Sequence, residues 1–196
     1  LYCSHCGCKG TKIFRDSGCT HTKSCRTSFL DAIAKADTTA KDCDFYTLST
    51  VYSQMADMYD RQLLLTNEIE ARRQASKYAF RANQPYWGIY DIDMSVGAYI
   101  LLNDIDSAEI LQKKTIALYE ELGNHQKALR ASRKLIHLYV EQLNRLSEAK
   151  LLMDQFESEY DKFDENHDLP PSERQYFFYK GRYYEKTGHL DSAELY

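Results

Sequence analysis

The sequence predicts an all-α protein built as an array of stacked, antiparallel helix pairs, and three observations predict it. Only three prolines and eight glycines punctuate 196 residues, so long runs of good helix formers go unbroken. Two stretches nearly repeat, IDSAEIL at Ile105–Leu111 and LDSAELY at Leu190–Tyr196. Tyr59, Tyr99 and Tyr139 stand forty residues apart, and Tyr184 follows after forty-five. Such a period marks supersecondary units that must stack, because one helix pair cannot bury its own apolar face.

Each element follows from local chemistry. Tyr99 precedes Ala108 by nine residues and Tyr184 precedes Ala193 by nine. Tyr139 precedes Ala149 by ten, which predicts a turn one residue longer there. Tyr59 keeps the register with no alanine at the matching distance. Asp106 with Glu109, and Asp191 with Glu194, have the spacing of capping pairs at helix starts. Ala108, Leu111, Thr115, Leu118 and Leu122 trace one apolar stripe at helical steps; Ala149, Leu152, Phe156, Tyr160 and Phe163 trace another. Gly123-Asn124 ends the first of these helices with residues tolerant of positive φ. Pro170-Pro171-Ser172 predicts a helix start, with Ser172 and Gln175 as a capping box.

The stretch YFFYKGRYYEKTGHLDSAELY, from Tyr176 to Tyr196, resembles a tetratricopeptide repeat (TPR). Aromatic Phe177, small Gly181, Tyr184, turn Gly188 and small Ala193 fall at the family's marked places, while Lys180 stands where the family has Leu. Looser matches are Ala56 and Tyr59 in one unit and Val96, Tyr99 and Ala108 in another. The resemblance covers 44–196 as about three and a half units and implies a right-handed superhelical array, a TPR-like α-solenoid. The forty-residue period exceeds the family's usual ~34, so helices or turns must be longer here. More narrowly, YSQMADMYDRQ and the stretch from Phe163 to Tyr196 look similar to bacterial repeat proteins. In those, a helical array precedes a membrane helix and a regulatory output. That likeness implies part of a larger bacterial signalling or regulatory protein that continues into further domains.

Residues 1–43 are expected to form a degenerate, Cys-rich edge of the array. Phe14 and Gly18 mimic the tyrosine-to-glycine spacing of RYYEKTG, and SFLDAIAKAD supplies a second helix. The cysteines then serve as small apolar fillers. The alternative is a zinc site from Cys3, Cys6, Cys8 and Cys19, with His21 as a substitute ligand. Cys3 and Cys6 make one acceptable pair, whereas Cys19 and Cys25 are spaced too widely for a standard second one. Disulfides or a lipid-anchored cysteine need an upstream targeting segment, and none is visible in these residues. Cytoplasmic and periplasmic locations both stay open.

No catalytic set stands out. There is no phosphate-cradling glycine loop, nucleophile elbow or paired-histidine metal helix, so the reading is non-enzymatic and without a cofactor. A net charge of −4 gives no general attraction to nucleic acid or anionic lipid, and no apolar run reaches bilayer length. His125, His137, His167 and His189 are read as structural or solvated. The acidic run from Glu157 to Asp168 is read as a solvated helix end and loop, and Trp87 as a packing anchor at a helix start. What remains is a surface. By analogy with tetratricopeptide arrays, the first helix of each unit lines a concave groove holding Ser53 and Asp57, Tyr90 and Asp93, Arg130, Arg133 and His137, then Gln175, Phe178 and Arg182. That groove runs from acidic to basic, and its arginines with aromatic neighbours suit a protein or peptide partner with an acidic segment. Two alternatives stand beside this: a spacer that binds nothing specifically, and the Cys-held zinc module.

Because LDSAEL starts a helix only a few residues before Tyr196, the chain is expected to be a fragment truncated within a unit. Arg130, Arg133 and Arg182 are expected on one face, and Ala108, Ala149 and Ala193 at close helix crossings. Ala108→Leu should overpack its crossing and cost about 1–3 kcal/mol. Thermal unfolding checks this, and an unchanged melting temperature refutes the register.

Overall fold

A computed structural model describes residues 22–34, 37–39 and 43–196, and the described residues form helices joined by turns and loops, with no strand. The zinc candidates Cys3, Cys6, Cys8, Cys19 and His21, and the Phe14–Gly18 pattern, lie outside the described residues. Among the described residues nine helices follow one another: α1 (Thr22–Ala34), α2 (Phe45–Arg61), α3 (Leu65–Arg81), α4 (Pro85–Leu101), α5 (Ile105–Glu121), α6 (His125–His137, continued by a π-helical turn Leu138–Gln142), α7 (Leu146–Glu159), α8 (Gln175–Lys186) and α9 (Leu190–Ala193). None of the described helices is long and apolar enough to cross a membrane.

From α2 to α5 every helix is 17 residues long and the next begins after a three-residue turn. Each of these turns contains one left-handed residue: Leu63 (φ 54°), Asn83 (φ 55°), Asn103 (φ 59°) and Gly123 (φ 68°). The cadence has a physical cause. The left-handed residue swings the chain back so that the following N–H reaches the fifth carbonyl behind it, as in Leu64 N–H to Tyr59 O (3.0 Å), Gln84 N–H to Ala79 O (2.9 Å) and Asn124 N–H to Tyr119 O (2.9 Å). Orphan carbonyls at the helix end are thereby satisfied. The next helix is then capped where chemistry allows: Asp44, Asp104 and Asn124 accept from the N–H of Thr47, Ser107 and Lys127.

The chain divides into two compact units, Leu1–Leu102 and Asn103–Tyr196. In the first, consecutive helices pack antiparallel around Phe29, Val51, Met55, Ala56, Tyr59 and Ala71, with Ala32, Ile33, Tyr52 and Met58 at the margin. The segment read as a second helix thus exists as α1 and closes this core. Tyr78 stacks on both Phe45 (6.0 Å) and Tyr52 (5.7 Å), tying α3 back to α2. At Gly88 an added Cβ would lie 2.7 Å from the Phe80 ring, so a larger residue there would push that ring aside where α4 starts close to the end of α3.

In the second unit, Ala108 and Ala149 are fully buried, whereas Ala193 is half-buried. The buried face of α5 is Ala108, Gln112, Thr115 and Tyr119 with Glu109; Leu111 and Leu118 are half-buried and Leu122 is exposed. The apolar stripe is therefore rotated from the one traced in the sequence, because polar Gln112 takes a core position by donating to Ala131 O (2.8 Å). The cap of α5 is Asp104 rather than Asp106, since Asp104 occupies the N-cap position and its carboxylate accepts from Ser107 N–H. Likewise α9 has His189 at its N-cap with no side-chain cap. Ser172 caps nothing: residues 171–174 are turns and α8 begins at Gln175. The extra residue between Tyr139 and Ala149 lies in the helix, where Leu143 N–H reaches Leu138 O (2.9 Å) as a π-helical turn. The turn that follows keeps its length, with Asn144 left-handed (φ 51°) and Arg145 N–H on Tyr139 O (2.9 Å). Glu157 is half-buried and not solvated, because Tyr176 Oη donates to it (2.5 Å) and Lys180 pairs with it (2.6 Å).

Leu63 is the one left-handed turn residue in this series that is neither Asn nor Gly, and it is 71% exposed. Leu63→Gly removes the clash of Cβ with the backbone and forfeits little packing. It should stabilise the protein by about 0.5–1 kcal/mol, after the entropy glycine adds to the unfolded chain. Urea denaturation checks the sign.

Candidate functional site

The ten residues assigned to a groove all lie on α2, α4, α6 and α8, each the first helix of a pair. What surrounds them differs between the two units.

In the first unit Ser53 and Asp57 meet a charge absent from the sequence-derived set. Arg72, on α3, is fully buried; its Nη1 donates to Asp91 (2.9 Å) and Ser53 Oγ (3.3 Å), and its Nη2 to Asp57 (2.5 Å). Ser53 Oγ also donates to Asp91 (2.9 Å). One guanidinium therefore joins α2, α3 and α4, while the Asp57 side chain stays 48% exposed. Glu68 lies 3.9 Å from Arg72 Nε, too far for a hydrogen bond, and that Nε has no partner. Burial works against the Arg72 charge, yet Asp57 and Asp91 outweigh it and hold the group above its ordinary pKa. Asp91 goes the other way: burial pushes its carboxyl up to about 6 despite the bond from Arg72. Burial also raises Glu68. Tyr90 and Asp93 are half-buried on α4, where Trp87 meets Tyr90 (5.9 Å) and Tyr86 (5.4 Å) edge-on. Trp87 packs at its helix start as read, but remains 40% exposed.

In the second unit Arg130, Arg133, His137 and Glu141 descend α6 at steps of three and four, and the last two meet Tyr179, Arg182 and Lys186 on α8. Contacts join the two stripes like rungs. Arg133 Nη1 donates to Glu173 O (3.2 Å), and Arg130 and Arg133 flank the Glu173 carboxylate at 3.3 and 3.7 Å. The His137 ring stacks on Tyr179 (4.6 Å, 14°). Arg182 Nε donates to Glu141 Oε1 (2.9 Å) and Nη2 reaches Oε2 (3.4 Å), while Nη1 pairs with Glu185. Lys186 pairs with Glu141 (3.8 Å). Burial lowers the pKa of Arg133 and of His137, which leaves His137 neutral at pH 7. Arg182 first, then burial in opposition, holds Glu141 below its ordinary value. Four cations therefore meet three carboxylates along this seam. Phe178 is 58% exposed and touches Tyr179 edge-on (5.8 Å); Gln175 is exposed at the head of α8.

Glu141, Tyr179, Glu173, Lys186, Arg72 and Asp91 escaped the sequence reading. Glu141 and Lys186 had a signal, each lying one helical turn beyond a chosen residue. Arg72 had another: by helix register it corresponds to Gln112 and Met153, so a charge stands at a core position of the repeat. Glu173 had none, because its arginine partners lie forty and more residues away. Of the remaining histidines, His125 bridges Glu120 and Glu159, and His167 stacks on Phe163. Among the described residues no group of His, Cys, Asp and Glu is placed to hold a metal.

The structure of BtubC (BKLC) from P. vanneervenii is similar to this chain, with a TM-score of 0.74 and 17% sequence identity over 90% of this chain and 70% of that one. At that identity the likeness shows a shared fold and nothing more. No family model matches the chain, and no curated protein matches it.

Removing Arg72 leaves Asp91 buried without its cation. Arg72→Met, which copies the residue at the matching position of α7, should cost about 3–5 kcal/mol at pH 8. The folded pKa of Asp91 lies above its unfolded value, so the fold takes up this proton preferentially and gains stability as pH falls from about 6 toward 4. Without Arg72 that pKa rises further, so the cost of the substitution should shrink at pH 5. Denaturation curves at both pH values check it.

Proposed function

We propose that this chain is a non-catalytic, TPR-like binding scaffold, a right-handed superhelical array that engages a protein or peptide through the first helices of its pairs. The observation that carries the reading is the α6–α8 seam. Arginines, a stacked His–Tyr pair and an exposed phenylalanine gather there on helices spaced by the repeat, the mixture of aromatic and guanidinium groups that dominates binding energy at protein interfaces. An acidic segment is the ligand chemistry that suits the excess of cations. A role within a larger bacterial signalling or regulatory protein accords with this reading.

The spacer reading has one observation in its favour, since carboxylates of the chain itself already engage these arginines. Titration of fluorescent acidic, basic and neutral peptides separates the two. Acidic peptides should bind, Phe178→Ala should weaken them about tenfold, and Arg130→Glu with Arg182→Glu should abolish binding while helicity is retained. Equal and negligible binding of all three peptide classes, before and after substitution, favours the spacer.

A further inference from the structure

We propose that the Arg130–Arg133 pair is a carboxylate-binding site that the chain fills with its own Glu173, so that the connection between α7 and α8 holds this site closed to an acidic partner. The inference rests on the binding reading above and adds its regulation. From α2 to α7 the helices are joined by three-residue turns, as at 62–64, 82–84, 102–104 and 122–124, but here residues 160–174 intervene. The end of that connection lies on α6 at the two arginines.

The geometry is that of a loosely held stand-in. Arg130 Nε addresses one oxygen of Glu173 at 3.3 Å and Arg133 Nη1 the other at 3.7 Å. A well-made N–H to carboxylate bond is about 2.7–2.9 Å, so neither guanidinium is used to its capacity. The tight bond to Glu173 comes instead from Tyr160 Oη, at 2.5 Å. Arg133 is left under-compensated: burial lowers its pKa even with Glu173 beside it. Arg130 is 43% exposed, so an incoming carboxylate has a solvent-facing donor to meet first. Glu173 is carried by turns at 171–174, with its N–H on Pro170 O (2.7 Å) and its carbonyl accepting from Tyr176 N–H (3.1 Å), so its withdrawal is a rotation of the side chain that leaves the start of α8 in place. A partner carboxylate taking both arginines would displace Glu173, and the seam from His137 to Arg182 would stay in place as the rest of the binding face.

The test uses a fluorescein-labelled hexaglutamate peptide and anisotropy on the full chain, with helicity recorded for every variant. Glu173→Gln keeps the shape and removes the competing charge; it should bind the peptide about tenfold more tightly than wild type. That gain should vanish when Arg130→Ala and Arg133→Ala are added. Tyr160→Phe, which frees Glu173 from its tight bond and alters no charge, should give a smaller gain in the same direction, and it decides the matter if Glu173→Gln does not fold. If wild type binds peptides but neither variant binds hexaglutamate more tightly, or if the gain survives loss of both arginines, the stand-in is refuted and the binding reading stands. If neither wild type nor variants bind any peptide, both fall.

Discussion

The constraint on which the structure depends is a left-handed residue shortly after the last turn of successive helices. It ends a helix, satisfies the carbonyls that the helix leaves unpaired and aims the chain back at the face it came from. Because such residues recur at 63 and 83 in the first unit and at 123 in the second, consecutive helices within each unit are laid side by side. The tyrosine markers belong to this device: the backbone carbonyls of Tyr59, Tyr139 and Tyr184 each accept the hydrogen bond that closes the following turn. Their side chains meanwhile fill the narrow space beside the turn, with Tyr59 and Tyr139 buried.

Within that cadence the departures carry the individuality of the protein. A π-helical turn at Leu138–Gln142 absorbs one residue without lengthening the turn that follows, and within it Glu141 meets Arg182 on α8. The connection at 160–174 departs further. It folds back through an aromatic cluster in which Phe163 meets Phe156 and Tyr176, and ends by presenting Glu173 to α6. Both departures fall in the second unit, beside the richest gathering of charged and aromatic side chains on first helices. Partly exposed pairs such as Arg130–Glu173 and Arg182–Glu141 contribute on the order of 0–1 kcal/mol each to folding, which makes them weak structural staples.

The first unit solves a different problem. Arg72 occupies a position that Gln112 fills in α5 and Met153 in α7. A buried cation there forces carboxylates from two other helices to converge on it, and the raised pKa of Asp91 is the strain that this arrangement keeps. Such a cluster specifies which helices pack together more than it adds stability. Ser53 and Asp57, which by sequence belong to an open face, are thereby bonded to the buried guanidinium while remaining partly exposed.

By itself the sequence determined the helical class, the forty-residue pairing of helices, the glycine-ended turn at Gly123 and the burial of Ala108 and Ala149, because each depends on interactions within a few residues along the chain. It placed ten face residues on first helices for the same reason: helical spacing is a local property. It misjudged the stripe on α5, the cap at Asp104 and the site of the extra residue before Ala149, where two local solutions of similar energy compete and packing chooses. The partners of the charges were decided only by the tertiary structure. Arg72 finds Asp91 nineteen residues on, Arg133 finds Glu173 forty on and Arg182 finds Glu141 forty-one back. No local rule links residues at such distances; what joins them is the cost of leaving a buried charge unpaired once the helices have closed around it.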